Sequence, residues 1–135
     1  MFQKILCIDD DPIALLLSKL LLTKFCLESE IVALNNGEEA LNYLSQSETL
    51  KKNKENDNLV VFLDLNMPIM DGWEFLEKFE NELYVNYPNI KIILLSSSID
   101  PSDIEKSNHF PMVLEFMSRP LSKEILKIVA EKLKL

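Results

Sequence analysis

Short, continuously apolar runs recur along this chain and alternate with longer stretches that have helical spacing. Four clear runs and a fifth, weaker one cover residues 5–8, 31–34, 59–63, 90–95 and 113–117. Apolar runs of this length indicate strands that are buried on both faces, as in parallel sheets covered by helices on both sides. The alternation therefore predicts an α/β fold: a doubly wound, five-stranded parallel sheet with five helices.

Capping residues and apolar spacing locate the helices between these strands. Asp11 and Pro12 predict the start of a leucine-rich first helix, because aspartate caps a first turn and proline fits within it. The five predicted helices cover 13–25, 38–44, a stretch beginning after Gly72, 101–108, and a stretch beginning after a Ser122 cap. The inner face of the last helix is expected to carry Ile125, Ile128, Val129 and Leu133. The polar stretch 45–58 is interpreted as a helix end followed by a solvated loop.

The size and charge of the chain narrow the classes of function. Its 135 residues suit one domain, 1–135, and 22 acidic against 14 basic side chains give a net charge of −8. Such an acidic chain is a poor candidate for nucleic-acid or membrane binding and suits a cation site or a basic partner. Cys7 and Cys26 lack metal-ligand spacing and are expected to be reduced thiols, as in a cytoplasmic protein. No segment approaches the length of a membrane span.

Polar residues follow four of the five predicted strands. Asp9 to Asp11 follow the first, Asp64 the third, Ser96 the fourth and Arg119 the fifth. In doubly wound folds, functional groups gather beyond the carboxyl ends of the strands, so these side chains are expected to meet. Singly, each has a plain structural explanation, such as a helix cap or a loop carboxylate. Their joint placement at four strand ends favours a site.

The chemistry of these groups points to a hard metal ion and to phosphoryl transfer. Carboxylate oxygens prefer magnesium or calcium to softer metals, and clustered carboxylates repel one another unless a cation lies among them. A carboxylate can also attack phosphorus to form an acyl phosphate. A metal ion and Arg119 would offset the charge on the transferring oxygens, and Ser96 could donate a hydrogen bond to one of them.

Four motifs resemble the receiver domain of two-component response regulators, of the single-domain, chemotaxis-regulator-like kind. They are IDDDP at 8–12, FLDLNMPIMDG at 62–72, ILLSS at 93–97 and FMSRP at 116–120. The resemblance extends over essentially the whole chain and implies the flavodoxin-like receiver fold. It implies a domain that takes a phosphoryl group from a histidine kinase or a phosphotransfer protein, with Mg²⁺ as cofactor. The domain would then signal by conformational change to a downstream protein, either as a monomer or as a homodimer formed on phosphorylation.

The resemblance also implies roles for individual residues. Asp64 corresponds to the phospho-accepting aspartate. Asp10 and the backbone carbonyl of Asn66 correspond to metal ligands beside Asp64, with Asp9 acting mainly through water. Ser96 and Phe116 correspond to the switch hydroxyl and the switch aromatic residue. A cis Arg119–Pro120 peptide bond is implied as well.

One position departs from the family pattern, and two other functions compete. Arg119 stands where the family has lysine; it keeps the charge but is planar and longer, which puts the details of switching in question. This substitution leaves open a phosphorylation-independent adaptor, or pseudo-receiver. A phosphohydrolase with an aspartate nucleophile is disfavoured, because Asn66 occupies the position of the second, acid/base aspartate. As a receiver, the chain would not be an enzyme beyond phosphorylating and dephosphorylating its own aspartate.

Overall fold

The computed structural model describes residues 4–26, 28–46 and 59–133. Five strands alternate with five helices along the described chain. The strands are β1 (Lys4–Ile8), β2 (Glu30–Leu34), β3 (Leu59–Asp64), β4 (Lys91–Ser96) and β5 (Val113–Ser118). The helices are α1 (Pro12–Phe25), α2 (Gly37–Gln46), α3 (Gly72–Glu82), α4 (Pro101–Ser107) and α5 (Lys123–Lys132). A 3-10 turn at Tyr84–Asn86, which the sequence pattern did not predict, follows α3.

All five strands pair in parallel in the order β2-β1-β3-β4-β5. The predicted doubly wound, five-stranded parallel sheet is confirmed. Side chains on β1 alternate between two apolar clusters: Leu6 and Ile8 pack toward α2 and α3, whereas Ile5 and Cys7 pack toward α1 and α5. Helices therefore cover both faces of the sheet, which accounts for the continuous apolar character of its central strands.

The helices begin where the sequence placed them, with side-chain caps. Asp11 accepts hydrogen bonds from the amides of Ile13 and Ala14 at the start of α1. Asp71 caps α3 through the amide of Glu74, and Ser122 caps α5 through the amide of Ile125. These bonds satisfy amides that have no partner within the first helical turn.

Two helical surfaces differ from a simple inward-apolar pattern. Ile128, which was expected on the inner face of the last helix, is 37% exposed, so that assignment was wrong; Ile125 and Val129 form the buried face instead. On α1, Leu15 and Leu22 are buried, whereas Leu16, Leu17 and Leu20 face outward. Only one face of α1 packs against the sheet, and the outward leucines lie outside that contact.

Several other expectations can be compared with the described residues. Cys7 is buried, Cys26 is half-buried and both are free thiols, as expected. In the described part of the chain, no helix has the length and apolar character needed to cross a membrane. Ser45 and Gln46 belong to α2. The rest of the polar stretch assigned to a loop, 47–58, lies outside the described residues.

Candidate functional site

Three carboxylates meet where β1 and β3 end. The two strands are neighbours in the sheet, with Ile8 aligned to Leu63, so the next residues along them, Asp9 and Asp64, emerge side by side. Asp10 completes the group: one oxygen from each of the three carboxylates lies within 4.8 Å of the others. The structure thus brings together the acidic residues that the sequence placed at two separate strand ends.

Asp64 is the buried member of this acidic cluster, with only 1% of its surface exposed. Its Oδ1 accepts a hydrogen bond from the Asn66 amide at 3.1 Å. Burial raises the pKa of its carboxyl group to about 6, and the nearby charge of Asp9 also raises it. The Asn66 amide and Arg119 lower this pKa but do not cancel the effect of burial. A negative charge on Asp64 is therefore costly unless cations lie beside it.

Arg119 reaches into the site from the end of β5 and contacts two of the carboxylates. Its Nη1 lies 3.3 Å from Asp64 Oδ2, and its Nη2 lies 3.1 Å from Asp9 Oδ2. The Arg119 amide donates to the carbonyl of Ser96 at 2.9 Å, which holds the backbone at this point. The Arg119–Pro120 peptide bond is cis, as the resemblance implied.

Ser96 ends β4 and is buried beside the same crevice. Its hydroxyl oxygen lies 2.8 Å from the carbonyl oxygen of Ser98 and 3.3 Å from Asn66 Oδ1. Both atoms are acceptors, and one hydroxyl proton serves one of them at a time. The serine therefore bonds to its own loop and to the loop after β3, close to Asp64.

Phe116 lies within β5, three residues before Arg119, and packs against Trp73 of α3. Phe116 is half-buried and meets Trp73 edge to face, with ring centroids 6.4 Å apart. Trp73 also stacks on Phe110, and Lys106 Nζ lies 4.7 Å from the centre of the indole ring. A cavity of about 310 Å³ is lined by Trp73 together with Asn66 and Ser96. The indole is thus a natural reporter of events at the site.

Gly72, the first residue of α3, lies unusually close to the backbone at the end of β3. Its amide donates to the Leu65 carbonyl at 3.0 Å. A Cβ atom added to Gly72 would lie 2.8 Å from Leu65 Cα and 3.2 Å from the Asp64 carbonyl oxygen. The sequence indicated only that the third helix begins after this glycine. The structure shows that it allows the helix to pack directly against the backbone that carries Asp64.

The loop between β3 and α3 contains a conformational outlier. Ile69 has a φ of +69° and is 99% exposed. A β-branched residue in the left-handed region is uncommon, and the conformation costs about 1–2 kcal/mol. Nothing in the sequence pattern indicated this geometry.

This strand order and this cluster of acidic residues define a doubly wound α/β domain with an acidic site at the carboxyl ends of its strands, and comparisons with known proteins identify the family. The family model described as the response regulator receiver domain matches residues 5–130. The chain belongs to the response regulator receiver domain family.

Individual relatives support this assignment. The chain is 30% identical over 132 residues to hybrid signal transduction histidine kinase L of Dictyostelium discoideum. The match covers 96% of the chain but 7% of the length of that curated relative. The solved structure of a two-component response regulator from Cytophaga hutchinsonii aligns with a TM-score of 0.80 and 27% identity, covering 98% of this chain and 97% of that one. A response regulator receiver protein from Dyadobacter fermentans also gives a TM-score of 0.80, at 24% identity over 96% of this chain and 95% of its own, and shows the shared fold.

Proposed function

We propose that this domain accepts a phosphoryl group on Asp64, with Mg²⁺ bound beside it, from a histidine kinase or a phosphotransfer protein in the cytoplasm. It then passes the signal on by changing its conformation toward a partner protein. The observation that supports this most strongly is the placement of Asp64. A buried carboxylate at the end of β3 lies between an acidic pair and a guanidinium group.

The residues at this site fit a magnesium ion. Asp9, Asp10 and Asp64 offer hard oxygen donors close enough to share one ion. Asp10 and Asp64, with the carbonyl of Asn66, would hold the metal directly, and Asp9 would act through water. When bound, the ion would neutralise charge on the transferring phosphoryl oxygens. It would also favour the ionised form of Asp64, which burial disfavours.

Asp64 would act as the nucleophile in the transfer. One carboxylate oxygen attacks the phosphorus of a phosphohistidine; an O–P bond forms as the P–N bond breaks, and the imidazole leaves with the bonding electron pair. Asp64 Oδ1 is held by the Asn66 amide, so Oδ2 is the oxygen that Arg119 would have to release. The freed guanidinium can then pair with the phosphoryl oxygens. Only the domain's own aspartate is a substrate, so the domain is not otherwise an enzyme.

Ser96 and Phe116 would convert the phosphorylated state into a change of shape. The Ser96 hydroxyl now bonds within its loop, and a phosphoryl oxygen on Asp64 would offer a stronger, charged acceptor. Movement of the serine loop toward Asp64 would change the cavity that Ser96 shares with Trp73. Because Phe116 packs on Trp73, its position is expected to change with that cavity. The downstream partner would recognise this altered surface.

The proposal is tested by incubating the protein with Mg²⁺ and a small phosphodonor and measuring its intact mass. Wild type should gain one phosphoryl group, and removal of Mg²⁺ with a chelator should prevent the gain. Asp64→Asn, which keeps the shape but removes the nucleophile, should gain none. Asp103→Asn is a control, because Asp103 is an acidic residue that lines the neighbouring cavity but has no proposed role. An Asp64→Asn protein labelled as fully as wild type would contradict the assignment.

A phosphorylation-independent binding adaptor is the second candidate, and the contacts of Arg119 are the observation in its favour. The guanidinium already pairs with both Asp9 and Asp64, so it offsets part of the negative charge of the site without a metal or a phosphate. Against this candidate, the acidic pair and the nucleophile are all present. A wild-type protein that binds its partner equally well with and without phosphodonor would favour the adaptor.

A further inference from the structure

We propose that Arg119 lowers the affinity of the acidic cluster for a divalent cation, because its guanidinium binds two of the carboxylates that the cation would need. This inference rests on the metal site of the proposed function and concerns its regulation. Arginine at this position would make metal binding and release of Arg119 a single coupled event. The guanidinium of Arg119 would thus stay bound to Asp9 and Asp64, away from a phosphoryl group, until the metal binds.

The hydrogen bonds of the two carboxylates are the first support. Asp9 Oδ1 accepts from the Asp11 amide at 3.0 Å, and Asp9 Oδ2 is 3.1 Å from Arg119 Nη2. Asp64 Oδ1 accepts from the Asn66 amide at 3.1 Å, and Asp64 Oδ2 is 3.3 Å from Arg119 Nη1. Each of the four oxygens therefore already has a donor. A cation that binds these oxygens must share them with these donors, and two of the donors belong to the positively charged guanidinium.

Asp10 provides the contrast. It is the exposed member of the acidic cluster, and within the described residues no hydrogen bond or ion pair involving its carboxylate is found. It is therefore free to receive a cation at no cost in broken contacts. The barrier to metal binding lies in the two carboxylates that Arg119 holds. It does not lie in the most accessible ligand.

The shape of the guanidinium couples the two contacts. Its two nitrogens are fixed in one plane, so movement away from Asp64 also disturbs the bond to Asp9. A lysine ammonium carries the same charge on a flexible stem and is more strongly hydrated. Lysine could keep one carboxylate and yield the other. Metal binding would therefore break two charge-assisted bonds of arginine but only one of lysine. The affinity for the metal should be lower with arginine.

The burial of these groups makes their ion pairs stronger than they would be in open solvent. The side chain of Arg119 is 25% exposed, that of Asp9 13% and that of Asp64 1%. Ion pairs at the open surface contribute little, because water screens them, but this pair lies largely out of solvent. A difference of one such contact corresponds to roughly a fivefold to tenfold change in affinity.

Magnesium titration of the unphosphorylated protein tests the inference. Affinity is measured by calorimetry and by Trp73 fluorescence, at constant ionic strength, for wild type, Arg119→Lys, Arg119→Gln and the control Lys127→Ala. Lys127 is exposed on α5, so its removal changes the net charge without touching the site. Unfolding curves of each variant establish that it is folded.

The result with lysine decides the question. Arg119→Lys should bind Mg²⁺ about fivefold to tenfold more tightly than wild type, although its charge is unchanged. Arg119→Gln should bind more tightly still, and Lys127→Ala should match wild type within about twofold. Equal affinities for wild type and Arg119→Lys would overturn the inference and leave the proposed function intact. If neither wild type nor any variant binds Mg²⁺, the metal site of the proposed function fails, and the inference fails with it.

Discussion

Replacing Gly72 with alanine should destabilise the domain and displace Asp64, although alanine favours a helix more than glycine does. Gly72 is the first residue of α3, directly after the Asp71 cap. There, the alanine Cβ would lie 2.6 Å from Leu65 Cδ2 and 2.8 Å from Leu65 Cα. The side-chain atom can rotate away, but the Cα atom is backbone and can move only with the chain that carries Asp64.

The size of the effect follows from two opposing terms. Overpacking of a close contact costs about 1–3 kcal/mol, and the gain in helix propensity is at most about 1 kcal/mol in a helix interior and smaller at its first residue. Because the clash is with backbone, the upper part of that range applies. We expect a net loss of about 2 kcal/mol in the free energy of unfolding. For a domain of this size this corresponds to a melting temperature lower by roughly 6–10 °C.

Gly37 offers a matched control. It is the first residue of α2, after Asn36, whose side chain accepts a hydrogen bond from the Glu39 amide. An alanine Cβ at Gly37 would lie 2.8 Å from Met70 Sδ, an atom near the end of a flexible side chain. Methionine adapts to such changes. Gly37→Ala should therefore alter the free energy of unfolding by less than about 1 kcal/mol.

Urea unfolding of the two variants, followed by Trp73 fluorescence and circular dichroism, measures these differences. Phosphorylation of the folded variants shows whether Asp64 has moved. Gly72→Ala should lose both stability and phosphoryl acceptance, and Gly37→Ala should largely keep both. If Gly72→Ala is as stable as Gly37→Ala, the close approach of α3 to the Asp64–Leu65 backbone does not constrain the domain as described.

Two further predictions concern the buried carboxylate and the outward leucines. Burial raises the pKa of Asp64 in the folded state from 3.8 to about 6, so the folded state holds this proton more tightly than the unfolded state does. The free energy of unfolding of wild type should therefore fall as the pH rises from about 4 to about 6. In magnesium-free buffer, the stability of Asp64→Asn relative to wild type should therefore increase by about 2–3 kcal/mol between pH 4 and pH 7, measured by urea unfolding; a difference independent of pH would contradict the raised pKa. On α1, Leu22→Ala should cost about 2–5 kcal/mol, since Leu22 is fully buried, whereas Leu16→Ala, 57% exposed, should cost less than about 1 kcal/mol. Equal losses would mean that the outward face of α1 is covered in solution.

The sheet and the meeting of the acidic residues could be predicted from the sequence because both depend on short, regular patterns. Buried parallel strands appear in the sequence as unbroken apolar runs, and the polar residues that follow each run mark where the strand ends. The placement of Asp9 beside Asp64 then follows from the adjacency of β1 and β3. Several assignments stay predictions: the switch roles of Ser96 and Phe116, the role of Asn66 as a metal ligand, and a single domain that spans 1–135.

What the sequence did not reveal depends on packing between distant segments. The bond from Arg119 to Asp9 joins residues 110 positions apart, and no local pattern encodes which carboxylate a long side chain will reach. The exposure of Ile128 depends on where the buried face of α5 ends. The periodicity of apolar residues locates that edge only to within one residue. The left-handed conformation of Ile69 contradicts its intrinsic preference, so propensity would argue against it.

The central claim, that Asp64 receives the phosphoryl group, is tested most directly by locating the acyl phosphate chemically. After reaction with a small phosphodonor and Mg²⁺, borohydride reduces an aspartyl phosphate to homoserine, releasing phosphate, and peptide mass spectrometry locates the converted residue. The account predicts conversion at Asp64 alone, dependent on Mg²⁺, with Asp9 and Asp10 unchanged. Conversion at Asp9 or Asp10 in place of Asp64 would contradict it.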